Sequence, residues 1–324
     1  MILALNSLFA ALTCWTIYQI GCRVFEEPVG RAAAWTWAVF PYLVYFPVRV
    51  VYDTSLSAFL LSLAFLISLR LADDETRSIW VVFGLLWGVM ILINPSLLTM
   101  MLCCMGWVIL RSGVRRSVSG AALCVLVAVL AVSPWIVRNY QVFGKFIFVR
   151  DNLPMELAMG NNDKSGGFWT REEHPANDKQ EMQRFQQAGE INYMAERGRE
   201  FRDFVRDNPT RFAVFSIKRA MYFWIAPPQA AIVNGYDFNI SRHMNFFLEA
   251  VFAFGGLSLA FRRRKPEAYL FACLLLVYPL PYFLVTPYPR YKHIIEPEML
   301  LLIVYLLRES RKITINWPPA SAGN

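Results

Sequence analysis

Apolar stretches near the length that a helix needs to cross a bilayer, about 20 residues, recur along the chain and are separated by short charged loops. The pattern predicts nine spans: Ile2–Cys22, Ala32–Val48, Thr54–Arg70, Ile79–Ile93, Pro95–Leu110, Val118–Val137, Phe246–Phe261, Glu267–Val285 and Tyr288–Leu307. The two segments flanking Asn94-Pro95 are short, and read as a tight hairpin or as one long broken segment. Between Asn139 and Met244 the pattern changes to mixed, water-compatible sequence. The change begins at Val132–Arg150, where an apolar run ends in Ser133-Pro134-Trp135 and turns cationic at Arg138-Asn139-Tyr140. Trp and Tyr beside Arg suit a membrane–water boundary, because their rings are apolar and their polar atoms need water.

Within the polar interval, Asn177-Asp178 with Glu181 predicts a helix start, and Asn208-Pro209 a stop followed by a new start. The second helix, Pro209–Trp224, mixes Phe212, Phe215, Met221, Phe223 and Trp224 with Arg211, Lys218 and Arg219. It is too short and too charged to span, and is expected to lie flat on the interface. GNND (Gly160–Asp163) and SGGFW (Ser165–Trp169) read as loops.

The pattern thus predicts an all-α polytopic membrane helix bundle with a mostly helical extracytoplasmic segment. Its expected parts are a transmembrane bundle over 1–138, an extracytoplasmic segment with an interfacial helix over 139–243, transmembrane helices over 244–310, and a cytoplasmic tail over 311–324. Composition agrees: 56% of residues are hydrophobic and 17% charged, too much apolar surface for a soluble chain of this size.

The net charge of +8 could point to nucleic acid, but position decides against it. Fourteen of the Lys and Arg residues, from Arg23 and Arg31 through Arg262–Lys265 to Lys312, fall in alternate short loops, against Arg49, Arg290 and Lys292 opposite. Such asymmetry orients a membrane protein, so the fourteen are expected on the cytoplasmic side, with Met1 outside and Asn324 inside. The six cysteines sit in or beside apolar runs without a CxxC pair, which indicates neither a disulfide framework nor a zinc site.

Candidate chemistry gathers at the opposite ends of the spans. The uninterrupted apolar part of the last span, Met299–Leu307, covers about 14 Å of helix. Counting outward from Arg308 places Arg290, Lys292, His293, Glu296 and Glu298 in the outer half of the membrane. Ionisable groups there are costly unless they face a hydrated cavity or one another. A cavity is expected; the alternative is a tilted helix that leaves them among headgroups. In the outer turn Arg49–Thr54, Asp53 is a helix N-cap, a site residue, or both. Arg138, with Asn139, is a headgroup anchor or a phosphate ligand. The aromatics Trp35, Trp37, Tyr42, Tyr45, Tyr52, Tyr278, Tyr282, Tyr288 and Tyr291 form an interfacial belt or line a groove for sugar and prenyl chain. His174 and His243 are isolated and expected to be solvated.

Cations and acids from separate helices on one face suit a reaction at a lipid-linked phosphate. Placed Arg and Lys stabilise the charge that a departing phosphate gains, and a carboxylate takes the acceptor's proton.

Several of these stretches together resemble bacterial membrane glycosyltransferases of family 39, the protein-mannosyltransferase-like and aminoarabinose-transferase-like enzymes with the GT-C fold. They are SPWIVRNYQVFGKFIFV (Ser133–Val149) followed by MGNN (Met159–Asn162), TPYPRYKHIIEPEMLLL (Thr286–Leu302), and the opening stretch to Leu61. The resemblance implies sugar transfer, of inverting type, from a polyprenyl-phosphate donor to a lipid, glycan or protein acceptor. It also implies a multi-pass bacterial inner-membrane protein whose long loop is extracytoplasmic. Asp53 matches an acidic position near the donor phosphate or a divalent ion. Arg138 and Arg290 match basic positions, and Asn139, Tyr291, Lys292, His293 and Glu296 join them as candidate substrate-binding residues. In that family a further helix and an acidic loop bearing the catalytic base precede the matched start, so the chain reads as N-terminally truncated and its base stays unassigned. The rival readings are a transporter or flippase of lipid-linked glycans and a non-catalytic truncated homologue.

Overall fold

The structure, a computed structural model, describes residues 2–49, 51–169, 171–227 and 240–315. The expected positions of Met1 and of the tail beyond Ile315 lie outside the described residues, as do 228–239 and the side chains of Tyr45 and Arg49. The described chain is all α-helix and short 3-10 turns, with no strand among the described residues.

Seven helices form the first half: α1 (Ile2–Val24), α2 (Glu27–Val39), α3 (Pro41–Arg49), α4 (Thr54–Asp73), α5 (Arg77–Ile93), α6 (Leu98–Ser112) and α7 (Val114–Phe143). The polar interval holds α8 (Leu153–Gly160), α9 (Lys179–Ala188), α10 (Glu190–Asp207) and α11 (Pro209–Ile225). The chain closes with α12 (Ile240–Arg262), α13 (Ala268–Leu276), α14 (Pro289–His293) and α15 (Glu296–Ile315). Five helical segments are long and apolar enough to cross a membrane: Ile2–Val24, Thr54–Asp73, Pro95–Ser112, Val114–Phe143 and Ile240–Arg262.

Proline breaks three of the nine expected spans. Ala32–Val48 divides at Phe40, whose ψ of 120° is extended, because the ring of Pro41 crowds the helical conformation of the residue before it. Glu267–Val285 stops at α13 and continues as a 3-10 turn, Leu280–Phe283, which follows Pro279 and contains Pro281. Tyr288–Leu307 divides into α14 and α15. The span expected over Val118–Val137 is longer than predicted, a 30-residue helix of about 45 Å. It passes through Pro134 because Ser133 Oγ donates to Leu130 O at 3.0 Å, the carbonyl that the missing proline N–H leaves open. Gly144, at φ 65°, ends it.

The core is organised around α4, which packs against α1, α5, α6, α14 and α15 and is the most buried of the candidate spans. Small residues let helices close in: a Cβ added at Gly21 would sit 2.3 Å from Gly30 Cα, where α1 crosses α2. Gly21→Ile is therefore expected to cost about 1–3 kcal/mol by overpacking, read as a lowered thermal midpoint in detergent. An unchanged midpoint would show that the crossing can spread.

In the polar interval the expected helix starts hold. Asp178 caps α9, accepting from the Gln180 and Glu181 amides at 2.9 Å each, and α11 begins at Pro209. A separate small core of Met155, Met159, Tyr193 and Met194 joins α8 to α10.

Candidate functional site

Two clusters of polar groups flank the N-terminal half of α4. The first surrounds Arg290 on α14. Its guanidinium lies 4.2 Å from the ring centroid of Tyr52, in the turn before α4, and 4.7 and 5.1 Å from those of Tyr288 and Tyr291. Arg290 also donates to the Tyr291 hydroxyl at 3.3 Å. Behind it the Tyr282 ring stacks on Tyr291 at 4.2 Å, and its hydroxyl meets Ser96 Oγ at 2.5 Å. The Tyr278 hydroxyl donates to Tyr291 O at 2.8 Å. The proline-rich stretch that breaks the expected span Glu267–Val285 is what delivers Tyr282 here.

Asp53 begins α4 but its side chain caps no backbone amide, so the N-cap role expected from sequence is not what holds it. Its charge is close enough to act on Tyr278 and Tyr282. Glu156, on α8, faces the same group: its charge acts on Tyr288 and Tyr291, and it feels that of Arg290. Burial pushes the Glu156 carboxyl above the usual carboxylate range, and Arg290 partly opposes the shift. Sequence analysis did not single out Glu156. Its one signal was a lone acid in the apolar run LPMELAM (Leu153–Met159).

The second cluster lies deeper. Lys292, fully buried, pairs with Glu249 of α12 and sits 3.9 Å from Glu296. His293 Nδ1 meets Glu296 Oε2 at 2.5 Å while its ring stacks on Trp37 at 5.3 Å. Glu298 accepts from Ser62 Oγ of α4 at 2.5 Å. Lys292, His293 and Glu296 face one another and Glu249, as buried charge in low dielectric needs an opposite partner. The network ties α14 and α15 to α2, α4 and α12, and so fixes the helix that carries Arg290. Glu249, an acid inside an apolar run, was the unread signal.

Arg138 and Asn139 contact α7 and the loop that follows it. Asn139, buried, donates to Ile147 O at 3.3 Å, and Trp135 Nε1 to Val149 O at 3.0 Å, so the SPWIVRN motif folds the following loop back onto α7. Arg138 is exposed over Trp135 and Phe143, 5.2 and 5.8 Å from their centroids. Among the described residues, no hydrogen bond, ion pair or ring contact joins either to Asp53 or Arg290.

The MGNN motif has a structural partner. Arg219 of α11, fully buried, donates to Gly167 O at 2.7 Å, Leu284 O at 2.9 Å, Asn161 Oδ1 at 3.0 Å and Gly160 O. No carboxylate takes part, and burial lowers its pKa to about 10. Gly160 must be glycine, since a Cβ there would lie 2.7 Å from Arg219 Nη2. His243 is not simply solvated, because its Nδ1 lies 2.7 Å from Ile225 O at the end of α11. The aromatics divide: Trp37, Tyr278 and Tyr282 are buried in the stack, whereas Trp35 is 66% exposed.

Among the described residues no group of three His, Cys, Asp or Glu side chains forms a metal-ligand set. Asp53 alone is not one.

A multi-pass helical membrane protein with a cation–aromatic site at one end of its spans is the class that fold and site define. Residues 1–137 match the family described as dolichyl-phosphate-mannose-protein mannosyltransferase, so this part of the chain is similar to glycosyltransferases of the GT-C type. No curated protein and no solved structure matches it.

Proposed function

We propose that the chain moves a sugar from a polyprenyl-phosphate donor to a hydroxyl or amine acceptor at the extracytoplasmic face of a bacterial inner membrane. The observation that carries this reading is Arg290 held among Tyr52, Tyr288 and Tyr291, within electrostatic reach of Glu156. Arginine matches a phosphate bidentately and stacks on aromatic faces, so its orientation is set before substrate arrives. The acceptor oxygen or nitrogen attacks the anomeric carbon, and the bond from that carbon to the phosphate oxygen breaks. Polyprenyl phosphate leaves with its new charge stabilised by Arg290, and the acceptor's proton passes to Glu156. Attack opposite the leaving phosphate inverts the anomeric configuration. Asp53 adds a second acid to the site, its charge acting on Tyr278 and Tyr282.

The test uses the chain in proteoliposomes with a polyprenyl-phosphate sugar and a crude acceptor fraction, measuring released polyprenyl phosphate and the anomeric configuration of product. Wild type is expected to release it, and Asp53→Asn to be at least about tenfold slower. A base must be deprotonated to act, so activity rises with pH through the Glu156 pKa. Because that pKa is raised, the acid limb of kcat/KM is expected above the ordinary carboxylate range and should vanish in Glu156→Gln. Equal release by wild type, Asp53→Asn and Glu156→Gln would overturn the assignment.

A further inference from the structure

An apolar groove of about 600 Å³ opens between α6 and α13, with Cys103, Gly106, Trp107, Leu110, Tyr269 and Leu276 in its walls. It is a built depression. A Cβ at Gly106 would meet nothing within 4 Å, and the Trp107 wall is fixed by its Nε1–H, which donates to Pro266 O at 3.1 Å. One cation, Arg111, stands at the groove in the last turn of α6. It is exposed and makes no hydrogen bond, ion pair or ring contact with any described residue.

The position of Arg111 excludes the donor proposed above as occupant. α6 runs 15 residues from Leu98 to Ser112, about 22 Å. Its other end follows Ser96, which bonds Tyr282 of the Arg290 cluster. The charged end of the groove thus lies a helix length away, on the side where the loops carry most of the Lys and Arg.

We propose that the groove binds an anionic phospholipid of the leaflet opposite the Arg290 site, one acyl chain along Gly106 and Leu110 and the phosphate against Arg111. An apolar channel ending in a single unpaired guanidinium is complementary to that molecule: the chain needs carbon walls, and the headgroup needs a cation where the chain ends. The proposal does not depend on sugar transfer.

Native mass spectrometry of the purified chain tests it, with phosphatidylglycerol and phosphatidylcholine of identical chains added in equal amounts. Wild type is expected to retain one phosphatidylglycerol in preference to phosphatidylcholine by about fivefold, the preference that one basic side chain near a membrane surface confers. Arg111→Gln should keep the stoichiometry but equalise the two lipids. Gly106→Trp should remove the bound lipid, and Gly106→Leu, a smaller plug, should weaken it with the thermal midpoint unchanged. No lipid preference in wild type, undiminished binding in Gly106→Leu, or an undiminished preference in Arg111→Gln would overturn the proposal.

Discussion

Replacing Arg290 by alanine is expected to slow sugar transfer by about two to three orders of magnitude, the loss seen when one preplaced electrostatic donor is removed from a transition state. The effect should fall on kcat more than on KM, because the phosphate gains charge only as the sugar leaves. Arg290→Lys is the sharper variant. It keeps the charge, but an ammonium cannot lie as a plane 4.2 Å from Tyr52 and 4.7 Å from Tyr288, so most of the loss should remain. Initial-rate kinetics in proteoliposomes check this, with thermal midpoints confirming that both variants fold. Wild-type kcat in a folded Arg290→Ala protein would remove Arg290 from the chemistry and with it the proposed site.

The largest expected effect on stability belongs to Arg219. Arg219→Met leaves three acceptors, Gly160 O, Gly167 O and Asn161 Oδ1, without their donor, while Leu284 O keeps the side-chain amide of Asn161 at 3.1 Å. Each buried acceptor so orphaned costs about 1–3 kcal/mol; water reaching the gap recovers part of that, leaving about 3–5 kcal/mol. The damage should be local, because Arg219 joins α11 to the loops at 160–167 and at Leu284. Limited proteolysis is expected to cut the stretch between α7 and α12 before the spans. Arg219→Lys should rescue only partly, since one ammonium cannot reach acceptors on every side. Wild-type proteolysis of Arg219→Met would show that the α8–α10 packing suffices alone.

The sites of largest expected effect differ in how plainly they stood in the sequence. Arg290 was visible because a cation beside a run of apolar residues violates the pattern around it. The meaning of Arg219 was not, since an arginine on an amphipathic helix looks the same whether it points to water or into a nest of carbonyls. Asn161 and Asn139 shared that ambiguity: both stood in recognisable motifs, and both turn out to hold backbone in place. Lys292, His293 and Glu296 were recognised as costly at their depth, but Glu249, the partner of Lys292, lies on a separate helix.

By itself the sequence determined the class, the run of apolar segments, the change of character after α7, the cap of α9 and the start of α11. Those features follow from local rules: a bilayer demands apolar length, a cap demands a side-chain acceptor three residues ahead, and proline forbids a donor. Only the tertiary structure decided that α4 would stand at the centre, that Glu249 would pair with Lys292, and that Glu156 would come within electrostatic reach of Arg290. The reason is physical. Hydropathy is a sum over one segment, whereas the placing of a charge in low dielectric depends on which other segments come within a few ångströms of it.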